Sequence, residues 1–299
     1  MEIYLKLTDK NKLLSLALGV FDGVHRGHVE VIKSAVDFAH KNSSKSAIIT
    51  FKTHPQSFFN PNFTGCITTL EQRLKIFENL GVDFCYLLDF NEIKNISGED
   101  YLKEILIKNF SPISISTGFN HHFGANKSGT TELLSNYASK YGYKYDKIQP
   151  VIMDNEIISS SIIRKLLLNG DIEKANYFMG RKFSVIGEVQ KGAKLGREIG
   201  FKTANLEYPE EFLKIPLGVY SVNALINNNT YNAIANFGIK PTLEGLTEKP
   251  ILEVHLLDFD NDIYGQVLNV EFLKFIRPEK KFQNIDELKQ QIQTDISQI

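Results

Sequence analysis

Cysteine is nearly missing from this chain of 299 residues: there are two, Cys66 and Cys85, and they form no C-x-x-C pair. A zinc site built on cysteines is thereby excluded, and so low a count suits a reducing cytoplasm. An excess of one charge is also missing. Lys and Arg number 34 against 35 Asp and Glu, a formal net charge of -1, which disfavours a general nucleic-acid binder. No apolar run reaches the ~20 residues needed to span a bilayer. The segment Leu13–Phe21, preceded by Lys10 and Lys12, mimics a signal-peptide core. It runs straight into Asp22 and His25 with no small-residue cleavage pattern, so it reads as a buried parallel strand. There is no repeat, no low-complexity tract and no G-x-x-x-x-G-K-[ST] motif, which excludes a P-loop kinase.

What is there is globular. Hydrophobic residues make up 42% and charged residues 23%, which argues against disorder, and the length exceeds a single core. Two domains are expected, residues 1–183 and 184–299. The first alternates strand and helix patterns. Strands are expected at Leu16–Phe21, Ala47–Phe51, Phe84–Leu88, Ile113–Thr117 and Tyr145–Val151. Helices are expected at Val29–His40, Leu70–Leu80 (with Gly81 as C-cap), Glu99–Lys108 and Thr131–Tyr141. This order predicts a doubly wound, Rossmann-like parallel sheet, whose ligands bind at the carboxyl ends of the strands. Near residue 183 the texture changes to short alternating strands at Phe183–Val189, Gly218–Ile226, Thr230–Phe237, Ile251–Leu257 and Val267–Lys274. Asn227-Asn-Asn229 suits a hairpin turn, one helix is expected at Asp286–Ile296, and the whole predicts an antiparallel barrel.

Chemistry-bearing residues concentrate in two places. Gly19-Val-Phe-Asp-Gly-Val-His-Arg-Gly-His28 lies where the first strand gives way to a helix. Two imidazoles three residues apart at a helix mouth can be aimed at one anion, and Gly23 and Gly27 allow close backbone approach. Ile158-Ser-Ser-Ser-Ile-Ile-Arg164 offers three hydroxyls and a guanidinium at a helix start, either a phosphate clamp or an ordinary serine cap with a surface arginine. His54 and Asn120 lie in two further strand-end loops. His121-His122 invites a metal, but neighbours on a strand-like segment face opposite ways. In the second part, Gly192, Gly196 and Gly200 precede Thr203 and Asn205, a phosphate cradle with oxygen ligands for magnesium or simply a flexible loop. Glu253 alternates with Leu252 and Val254, so it faces away from them beside His255, as a general base or as a solvated glutamate.

Taken together these segments resemble the bacterial bifunctional riboflavin kinase/FAD synthetase family over nearly the whole chain. G-x-F-D-G-V-H-x-G-H, S-S-[ST]-x-[IV]-R, Pro216-Leu-Gly-Val-Tyr220, Asn236 through Thr242, Glu253 through Phe259 and Arg277 through Phe282 carry the resemblance. It implies a HIGH-type nucleotidyltransferase domain followed by a six-stranded kinase barrel with a terminal helix. It also implies two reactions, riboflavin to FMN and FMN to FAD, with magnesium and ATP. By resemblance, Gly19, Phe21, Asp22, Gly23, His25, His28, Ser160, Ser161 and Arg164 bind ATP in the first domain, and His54 and Asn120 contact FMN or ATP. In the kinase, Gly192, Gly196, Gly200, Thr203 and Asn205 serve ATP, with Thr203 and Asn205 on magnesium. Glu253 is then the base, and Arg277, Glu279 and Phe282 cover the flavin. Three departures stand out: Lys202 for the family's proline before Thr-Ala-Asn, Asn120-His121 for a more usual Asp and Phe, and Thr53 for a commoner proline. Expected partners are small-molecule substrates, with no nucleic acid, no membrane and at most weak self-association, in the cytoplasm. A one-activity enzyme and a non-catalytic flavin- or nucleotide-binding regulator are the competing readings.

Overall fold

The computed structural model describes residues 1–7, 12–190, 200–240 and 249–299. They divide into two compact units, Met1–Ser160 and Ser161–Ile299.

The first unit holds β1 (Glu2–Tyr4), β2 (Leu14–Leu18), α1 (Arg26–Lys41), β3 (Lys45–Phe51), α2 (Leu70–Asn79), β4 (Phe84–Leu88) and β5 (Ser114–Gly118). A small hairpin follows, β6 (His122–Phe123) with β7 (Gly129–Thr130), then the helix Thr131–Tyr141 and β8 (Lys144–Ile148). A second hairpin pairs β9 (Ile152–Met153) with β10 (Glu156–Ile157). The main sheet is parallel throughout, in the order β1-β4-β3-β2-β5-β8. Successive strand residues point to opposite faces, and the sequence is apolar at both. Leu14, Leu16, Leu18, Ala47 and Ile49 pack on one face with Leu102, Leu106 and Phe110. Ala17, Ile48, Cys85 and Leu87 pack on the other with Ile32 and Val36 of α1 and Phe77. From β2 the chain turns to β3 on one side, while β5 pairs on the other, so the switch point of the sheet lies at the end of β2.

Element boundaries differ from the expected ones for local reasons. β2 stops at Leu18, three residues short of the expected Phe21, which takes a left-handed conformation, φ +55°. The expected helix at 99–108 is mainly a π-helical stretch, Tyr101–Ile107, which buries Tyr101, Leu102 and Leu106. β1 is three residues long, too short for a periodic signal. α2 closes as expected, with Gly81 at φ +82°, and a capping box of Thr69 with Gln72 opens it.

The helices Ser160–Leu168 and Ile172–Met179 lead into the strands of the second unit: β11 (Ser184–Glu188), β12 (Ala204–Glu207), β13 (Gly218–Ile226), β14 (Asn229–Lys240), β15 (Lys249–Leu256) and β16 (Val267–Pro278). The helix Ile285–Ile296 follows. The six strands run antiparallel in the order β11-β16-β13-β14-β15-β12, and the Gln190 N–H donates to Asn205 O at 2.8 Å across the two outer strands, nearly closing a barrel. Alternate residues fill it: Tyr220, Val222 and Ala224, then Ala233, Ala235 and Phe237, then Leu252 and Val254, all fully buried. Each large apolar side chain so buried stabilises the fold by about 1.5–3 kcal/mol. β12 is the strand that the glycine-rich reading of its neighbourhood conceals. The hairpin at Asn227-Asn228 is as expected, with φ +49° and +65°.

Candidate active sites

The first site grows from the end of β2. Between Leu18 and α1 the backbone is left-handed at Phe21 (φ +55°), Gly23 (φ +78°) and Val24 (φ +33°), an uncommon conformation for the two residues with side chains. A second segment holds it there. The Asp22 carboxylate, 2% exposed, accepts from Ile67 N at 2.9 Å, Thr68 N at 3.2 Å and Thr68 Oγ1 at 3.3 Å, while Gly23 N donates to Thr68 Oγ1 at 2.9 Å. Arg73, also buried, donates to Val20 O at 2.9 Å and Phe51 O at 3.1 Å, joining this loop to the end of β3. Burial pulls the Arg73 guanidinium below its usual pKa, and the charge of Asp22 opposes that shift. Asp22 therefore ties its own loop to the backbone of the Ile67-Thr68 segment. Thr68 and Arg73 are the residues that motif reading does not find, because they sit far along the chain with no pattern of their own.

The loop delivers two stacked imidazoles. His25 caps α1: its Nδ1 accepts from His28 N at 3.3 Å. When neutral, the ring therefore carries its proton on Nε2. The His25 and His28 rings lie 3.7 Å apart at 20°, and Phe21 meets His28 edge-on at 5.3 Å. The glycines are needed here. A Cβ at Gly19 would lie 2.9 Å from the Phe21 ring, and one at Gly27 would lie 3.2 Å from the His25 ring. Ser160 Oγ donates to Asp22 O at 2.9 Å, which brings the first residue of its helix to the loop. Ser161 and Arg164 follow on that helix, in the second unit.

Beside this loop a cavity of about 440 Å³ opens at the carboxyl ends of the strands, lined by Gly19, Phe59, Phe90, Tyr101, His121 and Phe123 among others. His54 caps the turn Pro55–Phe58 and stacks on Phe63 at 4.6 Å. Asn120 is exposed, and its carbonyl oxygen is bonded to His122 Nδ1 at 2.8 Å. His121 is half-buried and stacks on Phe123 at 5.6 Å, and His122 is exposed. Desolvation, helped by His122, pushes the His121 pKa down to about 4. Among the described residues no three His, Cys, Asp or Glu side chains gather as a metal site.

The second site is a row across three strands. Asn205 of β12 pairs with Glu253 of β15, and Glu253 pairs with Asn236 of β14. Residues directly opposite in a ladder present their side chains on one face. Here that face is the one away from the barrel core, since Leu252 and Val254 are fully buried while Glu253 is partly exposed. Glu253 thus lies between two carboxamides. Asn236 is the member that chain spacing does not single out. Thr203 and Lys202 lie just before β12 and line a small cavity of about 40 Å³ with Val189 and Tyr264. Lys202 pairs with Asp260 at 2.9 Å, both ends well exposed. Gly200 is left-handed, φ +89°; Gly192 and Gly196 lie outside the described residues.

Arg277 holds a structural post. Two bulges bend β16 against β13 before it, and its guanidinium then grips the buried Asp295 of the last helix, Nε and Nη2 donating at 3.0 and 2.7 Å. The Phe282 ring lies 5.8 Å from the same guanidinium. Glu279 packs over Gly238, where a Cβ would come within 2.3 Å of its Oε1.

Comparison with known proteins gives concordant matches. The model of the FAD synthetase family matches residues 7–162, and that of the riboflavin kinase family matches 179–299. A bifunctional riboflavin kinase/FMN adenylyltransferase of Bacillus subtilis is 36% identical over 285 residues, covering 94% of this chain and 89% of the relative. One from Haemophilus influenzae is 32% identical and covers 99% and 97%. A crystal structure named as a macrolide-efflux protein from Streptococcus pneumoniae superposes with a TM-score of 0.86 at 30% identity, covering 99% and 98% of the two chains. Among the described residues here, no helix is long and apolar enough to cross a membrane.

Proposed function

The chain belongs to the bifunctional riboflavin kinase/FMN adenylyltransferase family, and from that premise we propose which residues carry each reaction. The enzyme phosphorylates riboflavin to FMN with ATP and adenylylates FMN to FAD with release of pyrophosphate. We assign residues 1–183 to the second reaction and 184–299 to the first.

For the adenylyltransferase, His25 and His28 bind the ATP phosphates and stabilise charge on the departing pyrophosphate. Gly19, Phe21, Asp22 and Gly23 shape the loop that presents them, and Ser160, whose hydroxyl donates to Asp22 O, borders it. Support comes from the Nε2 proton of His25 and from the place of both rings at the mouth of α1, at the switch point. The adjoining cavity takes the flavin, and His54 and Asn120, each next in sequence to a lining residue, Pro55 and His121, contact FMN or ATP. FMN attacks through a phosphate already ionised at pH 7, so this site needs no base. Its work is positioning and charge stabilisation.

For the kinase, the observation that carries the reading is the Asn205–Glu253–Asn236 row. The ribityl hydroxyl has a pKa far above 7 and must lose its proton as the γ-phosphoryl group transfers; Glu253 accepts it. The hydroxyl, carboxamide and carboxylate oxygens of Thr203, Asn205 and Glu253 suit a hard cation, so magnesium fits. It would be held by Thr203 and Asn205 and supply neutralisation of phosphate charge. Gly192, Gly196 and Gly200 cradle the phosphates. Arg277, which also grips Asp295, covers the flavin together with Glu279 and Phe282. The buried Cys85 is a free thiol, which supports a cytoplasmic place of work. Incubating the protein with riboflavin, ATP and magnesium and separating the products by chromatography tests the whole reading; absence of either FMN or FAD would reduce it to a single activity.

A further inference from the structure

Thr203 and Asn205 can serve the kinase only if the turn before β12 is held against β15, and the family's usual means of stiffening it, a proline, is Lys202 here. The Lys202 side chain contributes little to that: its partner Asp260 is 94% exposed, and exposed pairs are weak. Its backbone is fastened differently. His255 Nδ1 lies 2.7 Å from Lys202 O. A carbonyl only accepts, so Nδ1 must carry the proton. His255 stands on β15 two residues after Glu253 and on the same face, and the next pair along the ladder is Ala204 with Val254. Phe201 meets the imidazole edge-on at 5.4 Å, fixing its plane.

We propose that His255 is a positioning residue of the kinase, whose Nδ1–H holds the Lys202 carbonyl and so sets Thr203 beside the Asn205–Glu253 pair. This rests on the kinase site assigned above. The hydrogen bond runs from the strand that bears the base to the turn that bears Thr203. It therefore couples two parts of the site that are 50 residues apart in sequence.

The test compares two substitutions. His255→Phe keeps a ring against Phe201 and loses the donor; His255→Asn keeps an N–H near the Nδ1 position. His255→Phe should raise KM for magnesium-ATP about 3- to 10-fold, the range one hydrogen bond is worth, with KM for riboflavin unmoved. His255→Asn should return to within about twofold of the parent. Equal kinetics for the two variants, or a shift in riboflavin KM alone, would overturn the proposal. Should His255→Phe not fold, ¹⁵N-histidine NMR of the unaltered protein decides, with the signal identified by its loss in His255→Asn. An Nδ1–H tautomer supports the proposal and an Nε2–H tautomer refutes it. Glu253→Gln, assayed alongside, separates the two levels. Near-normal turnover there removes the site itself. A large loss there with parental kinetics in His255→Phe removes only the role of His255.

Discussion

The two proposed sites, assigned to the same nucleotide, have opposite architecture. In the first, the functional side chains ride on a loop whose backbone is strained at Phe21 and Val24 and held in place by Asp22, Thr68 and Arg73. In the second they stand in a straight row on paired strands, where the ladder itself sets the geometry. The first has its nearest carboxylate, Asp22, engaged by backbone N–H groups; the second places Glu253 between two carboxamides. The contrast follows the nucleophiles. A phosphate arrives ionised and needs only a cradle, which a loop at a helix N-terminus supplies. An alcohol needs a base held at a set distance from the transferred group, which a β-ladder supplies.

The sharpest way to break this contrast is Glu253→Gln. Loss of general-base catalysis should lower FMN formation by about 100- to 10,000-fold, with FAD formation from added FMN intact. Near-normal kinase turnover would move the base elsewhere. The mirror experiment is His28→Ala, which should lower conversion of FMN to FAD by about 100- to 1,000-fold while FMN formation continues. Equal loss of both activities would show that the sites are not independent.

A smaller effect concerns His121. Its folded pKa, about 4, lies below the unfolded 6.5 because burial disfavours the cation. The stability this represents is fully present above pH 6.5 and is lost as pH falls from there toward 4. Between pH 7 and 5 the melting temperature should drop about 2–4 °C more for the parent than for His121→Asn. Parallel melting curves would contradict the burial of that ring. The smallest effect is expected from Lys202→Pro. The surface pair with Asp260 is worth ~0–1 kcal/mol, and proline adds stiffness without removing the Lys202 carbonyl. Kinase kcat/KM should therefore stay within about threefold of the parent. A complete loss would show that the ammonium has a task of its own.

Legibility in the sequence followed the same divide. The β-α alternation, the barrel strands, the hairpin at Asn227 and the H-x-G-H segment are readable because local periodicity and turn chemistry are printed residue by residue. Glu253 was readable as facing away from Leu252 and Val254 for that reason too. The roles of Thr68, Arg73 and Asn236 were not, because each acts across the fold: Arg73 reaches Val20, 53 residues away, and Asn236 meets Glu253 only through register. β12 was hidden because Thr203 and Asn205 drew a reading as loop ligands, although Asn205 is itself in a strand. The bond from the Arg277 guanidinium to Asp295 was not legible either, since a partner on a later helix leaves no trace in the local motif.

The hairpin at Asn227-Asn228 sets limits on how the gene can vary. From Ile226↔Asn229 to Val219↔Asn236 the β13–β14 ladder runs without a bulge, and so does the β14–β15 ladder through Asn236↔Glu253. Side chains alternate with period two, so gaining or losing one codon in this turn would rotate Asn236 toward the core unless a new bulge absorbed it. On the other flank of β13, the pairing with β16 already contains two such irregularities, so length changes there have somewhere to go. Insertions and deletions should accordingly be tolerated unevenly around the barrel, and most strictly at this turn.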